Sequence, residues 1–499
     1  MNNSRSSSSY LFLILILLLF LLRIFFMFKT NLLVEEAYYW NYSNHLDFSF
    51  LDHPPMVAVL IKLGTLIFGV NEWGVRFASV PCWIITCYFS FKLTTLIRKE
   101  AGLYAVVLLS IMPFFFIHSL IITPDIPLIL SWSATLYYLY QALVLDRDKS
   151  WYWAGVWLGL GLLSKYTIVL LGLSTIIYLI GDPASRKWFL RKEPYCCALI
   201  AFIIFIPVIY WNATHDWASF LFQSSRRFHD YYSFSFHELI GLVLVFLTPT
   251  GILGAWILFS QNYSKKFIAI KTKYFFQIYV IVPLLFFSLF SLFHGIRVNW
   301  IGPIFLAIIP WFALLITDNQ QIIGVTFRKG WAITSVIIVF IYSSIIYCIL
   351  SDKPEKMSHF LFEKVIPWNN FTREVYNIAQ QLENKTHNTP IILPLDTYNI
   401  ASELAFYQKK YFKQGQINTP YKVIGSHVFG LNSLMYKYWG NMEEIKGKTL
   451  ILVSPKISFF SYPLVKQKIV PLSNIKPVNY HDDNGHKSLI FYYQIVKLT

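Results

Sequence analysis

LFLILILLLFLLRIFFMFKTNLLVEEAYYW, residues 11–40, decides the fold. From Leu11 to Phe28 the chain carries a single charge, Arg23; two adjacent carboxylates, Glu35 and Glu36, then precede Ala37-Tyr38-Tyr39-Trp40. A hydrocarbon core of about 30 Å needs about 20 apolar residues per helix. The first part therefore reads as a membrane span, and residues 34–46 as a short interfacial helix whose Tyr and Trp rings suit the headgroup level. Arg5 ahead of the apolar run imitates a signal peptide, but no small-residue cleavage site follows, so the run is expected to remain as an anchor.

The whole chain agrees with its beginning. Its 499 residues are 56% hydrophobic and only 14% charged, with a mean hydropathy of +0.50. Soluble domains carry about 25% charged residues, so several such domains are excluded. Aromatics reach 18%, which suits interfacial belts or ring-stacking sites. The net charge of +16 is spread over loops rather than gathered in a basic block. It therefore reads as membrane topology, and nucleic acid is not expected as a partner. The five cysteines all lie in apolar runs, as packing residues, and none falls in the last 150 positions, which leaves no disulfide framework there.

Apolar runs predict about eleven spans: 11–28, 74–97, 102–122, 126–145, 151–163, 166–180, 195–211, 237–259, 274–293, 300–317 and 331–350. With the N-terminus cytoplasmic, every second loop is basic: Arg98-Lys99, Arg147/Lys149, Arg186 to Lys192, Lys265 to Lys273, and Arg328-Lys329. That is the positive-inside bias. It puts the tail outside. The tail, 351–499, is expected to be a soluble α/β domain with strands near 390–393, 450–453 and 489–496 and a helix near 400–408. About seven of the sixteen net positive charges lie there, which suits a face near anionic membrane lipids. The fold expected is thus a multi-span membrane α-helical bundle over 1–350, with interfacial helices in a first outward loop at 29–73, followed by that α/β domain.

The chemically versatile residues gather in the outward loops. Glu35-Glu36 offers one carboxylate as base and another to orient it or hold a cation. In Leu51-Asp52-His53-Pro54-Pro55 the prolines stiffen the backbone around an acid and an imidazole. Asp125, between Pro124 and Pro127, is a second rigid acid, and burial at that place demands a partner. Lys165 interrupts two half-length runs; Arg226, Arg227 and His229 follow, then His294, Arg297 and Asn299. Such cations and donors suit a phosphate. The plain alternatives are solvated loop acids, a tight turn, a helix N-cap for Asp125 and a snorkelling lysine. A divalent cation near Asp52 and His53 is the one cofactor left open, and no nucleotide-binding motif is present.

These segments resemble the bacterial GT-C glycosyltransferases related to dolichyl-phosphate-mannose protein mannosyltransferases and to lipid A aminoarabinose transferases. The likeness rests on Glu35 to Trp40, where the family usually has Asp-Glu before Ala-Tyr-Tyr-Trp, and on Asp52-His53-Pro54-Pro55-Met56. It extends through Gly161 to Thr167, Glu193-Pro194-Tyr195, Trp211 to Trp217 and His294 to Trp300. In the tail it continues through Asp396-Thr397-Tyr398 and Ala401 to Tyr407. The resemblance implies transfer of a sugar, with inversion, from a polyprenyl-phosphate-linked donor to a glycan, lipid or protein acceptor on the periplasmic side of the bacterial inner membrane. It maps the catalytic carboxylate to Glu35, with Glu36 beside it, and the second acid to Asp125; the residues themselves suggest substrate contact by Asp52, His53, Lys165, Arg226, Arg227, His229, His294, Arg297 and Asn299. Glu at position 35 departs from the family's Asp and moves the carboxylate by roughly 1 Å, enough to matter for rate. A flippase for lipid-linked saccharides would place charges mid-span and repeat its halves, neither of which is evident; an inactive scaffold stays open through Glu35.

Overall fold

A computed structural model describes residues 2–224, 233–260, 268–318, 321–350, 366–440, 445–480 and 490–498. It is mostly helical, and by contacts it divides into two units. The first comprises Met1–Phe26, His53–Val57 and Ala78–Ser343; the second comprises Met27–Asp52, Ala58–Phe77 and Ser344–Thr499.

Helices follow nearly all the apolar runs, but the number long and apolar enough to cross a membrane is smaller than eleven. Five described helices qualify: Glu72–Ile97, Glu193–Thr214, Phe236–Phe259, Ile270–Ser291 and Ile322–Tyr347. Two bent pairs, Ile14–Lys29 with Val34–Asn44 and Tyr166–Gly181 with Pro183–Leu190, raise the number to seven. The physical reason is length. Ser150–Leu162 and Val169–Gly181 have 13 residues each, about 20 Å at 1.5 Å per residue. The third run is broken between Ile111 and Pro113, because proline cannot continue the hydrogen-bond ladder.

In the first unit, close helix packing follows from small residues. Gly155 and Gly159 lie one turn apart on Ser150–Leu162, facing Glu193–Thr214. A Cβ at Gly155 would sit 2.5 Å from the Cys197 carbonyl oxygen, and one at Gly159 would meet Ile204 at 2.8 Å. This is the small-xxx-small approach that brings apolar helices together where no water drives them. Arg23, the lone charge of the first span, is buried; it donates to Ser119 Oγ at 2.6 Å and the Ser110 carbonyl at 2.8 Å. Its guanidinium also lies over the Trp83 and Phe116 rings. Those partners account for its place in an apolar helix without any transport role.

The second unit holds a five-stranded sheet in the order β1-β2-β5-β3, with β4 also on β5. The strands are β1 (Ile391–Pro394), β2 (Thr449–Ser454), β3 (Ile469–Pro471), β4 (Lys476–Val478) and β5 (Phe491–Leu498). β1 and β2 run parallel in the register Ile391 opposite Leu450, and the other pairs are antiparallel. Ile391-Ile392-Leu393 and Leu450 to Val453 are continuous apolar runs, and every residue of β1 and β2 is buried. Continuous apolar strands are the mark of a sheet covered on both faces. The helix Asn399–Lys413 in this unit packs against Val34–Asn44: the Tyr407 hydroxyl accepts from the Leu32 N–H at 3.1 Å, and Trp40 meets Phe406 edge-on at 5.1 Å.

Candidate active site

The candidate residues fall into two constellations, one in each unit. In the second unit Glu36 forms a two-pronged ion pair with Arg76. Nε donates to Oε1 at 2.8 Å and Nη2 to Oε2 at 2.6 Å, with both side chains fully buried. Arg76 spends its other donors on the carbonyls of Met27, Thr30 and Asn31. The Leu33 N–H donates to Glu36 Oε2 at 3.0 Å, capping the helix Val34–Asn44. Every oxygen and nitrogen of this pair is thus engaged in shaping residues 27–36. Glu35, on the same first turn, is only half-buried.

Local sequence explains how Arg76 reaches that place. Gly69 ends the helix Met56–Phe68 with a positive φ of 80°, which only glycine adopts without strain. Asn71 then caps the next helix, its Oδ1 accepting from the Gly74 N–H at 2.8 Å. A Cβ at Gly64 would sit 2.3 Å from the Gly74 carbonyl oxygen, and one at Gly74 2.2 Å from the Gly69 carbonyl oxygen, so neither fits. Nothing in the charge pattern singled out Arg76, a lone arginine at the start of the apolar run 74–97.

Asp52 is also buried and accepts hydrogen bonds from the Tyr42 and Tyr38 hydroxyls. Tyr38 in turn packs on Tyr398 at 4.4 Å, and its hydroxyl accepts from the Met435 N–H. The aromatic run after Glu36 therefore serves as core of this unit as well as support for an acid. Glu403 is a further acid that residue type alone did not single out. It is fully buried, and neither of its carboxyl oxygens has a hydrogen-bond partner among the described residues. Burial, with Glu36, Glu35 and Glu72 nearby, drives its carboxyl well above the ordinary carboxylate range.

In the first unit Asp125, Lys165 and Asn299 come together from positions 40 and 174 residues apart. Lys165 Nζ donates to Asp125 Oδ1 at 2.8 Å, and Asn299 Nδ2 donates to Oδ2 at 2.7 Å. Asp125 starts the helix Asp125–Leu143 directly after Pro124. Lys165 sits in the break that follows Ser150–Leu162, extended at φ −160°, with its N–H bonded to the Gly161 carbonyl. The stiff His53-Pro54-Pro55-Met56 turn joins the same region, since the Met56 N–H donates to the Leu163 carbonyl at 2.9 Å. Asn299 belongs to a turn held by Ser235, whose Oγ donates to the His294 carbonyl at 2.7 Å and accepts from the Ile296 N–H. His118, buried and within electrostatic range of Asp125, escaped the sequence reading because a histidine ending an apolar run carries no signal.

Arg297 is exposed, while His294 and His53 are half-buried. Arg226, Arg227 and His229 lie outside the described residues. Among the described residues no group of three His, Cys, Asp or Glu side chains is placed to hold a metal ion. The Asp52 carboxylate accepts from two tyrosine hydroxyls through its Oδ1.

Comparison with known proteins finds likeness in part of the sequence and in the fold. Residues 52–211 match the family model described as dolichyl-phosphate-mannose-protein mannosyltransferase. The fold is that of ArnT from Cupriavidus metallidurans. The apo structure superposes with a TM-score of 0.63 at 14% identity, over 99% of this chain and 98% of that one. The structure of the same protein bound to undecaprenyl phosphate gives 0.64 at 15% identity, over 98% of each. In sequence, the lipid A galacturonosyltransferase RgtD of Rhizobium johnstonii is 24% identical over 190 residues. That match spans 38% of this chain and 40% of RgtD's length. The chain thus resembles the dolichyl-phosphate-mannose-protein mannosyltransferase family over residues 52–211 and shares the fold of ArnT.

Proposed function

We propose that the chain is a polyprenyl-phosphate-dependent glycosyltransferase of the bacterial inner membrane. It would move a sugar, with inversion, onto an envelope glycan, lipid or protein at the periplasmic face. The observation that carries the reading is the buried Asp125 carboxylate gripped by Lys165 and Asn299 in a chain with the ArnT fold. The undecaprenyl phosphate bound to that neighbour supports a lipid-phosphate donor, and the basic alternate loops support the orientation.

In this reading the acceptor hydroxyl attacks the anomeric carbon as the bond to the lipid phosphate breaks. Glu35 takes the hydroxyl proton; it stands on a helix start that the Glu36–Arg76 pair makes rigid. The departing polyprenyl phosphate is already an anion and needs cationic donors more than an acid. Among the described residues Lys165 Nζ is bonded to Asp125 Oδ1, which leaves two of its three N–H donors for a ligand, and Asp125 with Asn299 fixes their direction. Arg226, Arg227, His229 and Arg297 are assigned to the same phosphate, and Asp52, His53 and His294 to the sugar. The helix Met56–Phe68, apolar but for Lys62 and Thr65, supplies wall for the lipid chain.

The test is transfer in membranes from cells expressing the protein, read as new glycolipid or glycoprotein mass. Loss on Lys165→Met together with retention in Lys62→Met supports the assignment. Full transfer by Lys165→Met contradicts it.

A further inference from the structure

The helix Asn399–Lys413 carries Glu403, Tyr407 and Lys410 at the i, i+4, i+7 spacing, which puts them on one face. Two of the three are tied to the chain around Glu35. The Tyr407 hydroxyl accepts from the Leu32 N–H at 3.1 Å, and Lys410 Nζ donates to both Glu72 oxygens at 2.7 and 2.8 Å. Glu403, one turn before Tyr407, is fully buried, and neither of its oxygens has a hydrogen-bond partner among the described residues. We propose that Glu403 is a positioning residue for Glu35: as an uncharged acid it leaves Arg76 to Glu36, and as a carboxylate it draws Arg76 away and loosens the turn on which Glu35 stands. That Glu35 is the base rests on the transferase reading; the hold of Glu403 on residues 27–36 does not.

The first reason is a count of donors. An arginine has five N–H groups. Arg76 gives Nε and one Nη2 hydrogen to Glu36, the other Nη2 hydrogen to the Asn31 carbonyl, and its Nη1 hydrogens to the Met27 and Thr30 carbonyls. Lys410 is engaged by Glu72. The two cations thus match two acids, Glu36 and Glu72, and Glu403 is the third. An ionised carboxyl is acceptor-only, and burying it without donors costs far more than burying the neutral acid. Glu403 is therefore the protonated member of the set.

The second reason is what surrounds it. Glu35 and Glu36 from the helix Val34–Asn44, Glu72 and Arg76 from the helix Glu72–Arg76, Tyr407 on its own helix and Tyr436 all lie within electrostatic range of Glu403. The helix Trp368–Thr386 meets the far end of the same helix, with Arg373 over the Tyr411 ring. Three carboxyl groups oppose a charge at position 403, and Arg76 is the cation that can answer it. Each donor that Arg76 turns towards Glu403 comes from Glu36 or from the carbonyls of Met27, Thr30 and Asn31. Those bonds shape residues 27–36, so the charge of Glu403 is converted into the placement of Glu35.

Hydrogen–deuterium exchange on the full-length protein in detergent reads this turn without requiring turnover. The peptide spanning residues 27–36 is followed from pH 6 to pH 9, each time against the same peptide free in solution, and sugar transfer is measured in parallel. In wild type, protection of this peptide should fall about tenfold as pH rises while that of β2 stays constant. Transfer should fall over the same range, about tenfold per pH unit once the proton has left. Glu403→Gln and Glu403→Leu differ in size and polarity but neither can ionise, so both should keep the protection and lose the steep alkaline limb of transfer. Loss of protection in wild type alone, with no transfer at any pH, would discredit the transferase reading and leave the hold on residues 27–36 standing. Constant wild-type protection, the same loss of protection in both variants, or an alkaline limb of transfer unchanged in both overturns the proposal.

Discussion

Lys165 and Asp125 form an ion pair at 2.8 Å, their side chains only 9% and 2% exposed, between two stretches of chain that the sequence separates by a complete helical hairpin. Removing one partner of a buried pair leaves an uncompensated charge, at a cost of about 3–5 kcal/mol. Lys165→Met and Asp125→Asn should each lower the thermal midpoint in detergent. The double variant should lose less than the two single losses added, because it strands no charge. Additive losses would mean that the pair is not formed.

Glu36 and Arg76 are expected to act on structure, unlike Glu35 beside them. Arg76→Lys keeps the charge but cannot reproduce the two-pronged contact or reach three carbonyls, so the midpoint should fall clearly. Glu35→Gln should leave the melt within about 0.5 kcal/mol of wild type, as expected at a half-buried position. Circular dichroism melts on both variants check the contrast.

Glu403 gives stability a pH dependence with a definite sign. Burial raises its carboxyl in the folded state, while the unfolded chain releases the same proton near the ordinary Glu value of about 4.3. The folded state therefore holds more protons, and stability declines as pH rises above that value towards the folded one. Glu403→Gln, a neutral isostere, should be the more stable protein at pH 7 and should melt with a flatter pH profile. An ionised, salt-bridged Glu403 would give the reverse.

Asp396 should behave in the same direction over a narrower window. Burial pushes its carboxyl up to about 6, against opposing hydrogen bonds from the Ile400 and Asn399 backbone that cap the next helix. Its contribution is complete below about 3.9 and is lost as pH passes through about 6. Melts of Asp396→Asn between pH 4 and 8 should lack that decline.

The sequence made some of this legible and hid the rest for physical reasons. Asp125 stood out because prolines on both sides left it rigid at the edge of an apolar run, and a buried acid requires a partner; Lys165 and Asn299 are that partner set. The β-rich runs of the tail became β1, β2 and β5 because continuous apolar residues admit burial on both faces. Arg76 stayed hidden because its value lies in reaching back forty residues to Glu36, which only the Gly69 turn makes possible. Glu403 stood within a familiar segment, yet nothing in its neighbours announces a carboxyl buried without donors. Apolar composition did not report where Pro113 or the break before Lys165 divides a run into shorter helices.

The most direct measurement is sugar transfer by the purified protein in nanodiscs, with polyprenyl-phosphate-linked sugar as donor and an envelope extract as acceptor. Release of polyprenyl phosphate and gain of acceptor mass are followed together. Wild type should show both. Glu35→Gln should fall by about 10²–10⁴, the range for loss of a general base, without loss of fold, and Lys165→Met should fall with it. Wild-type turnover undiminished in Glu35→Gln and Lys165→Met would contradict the account.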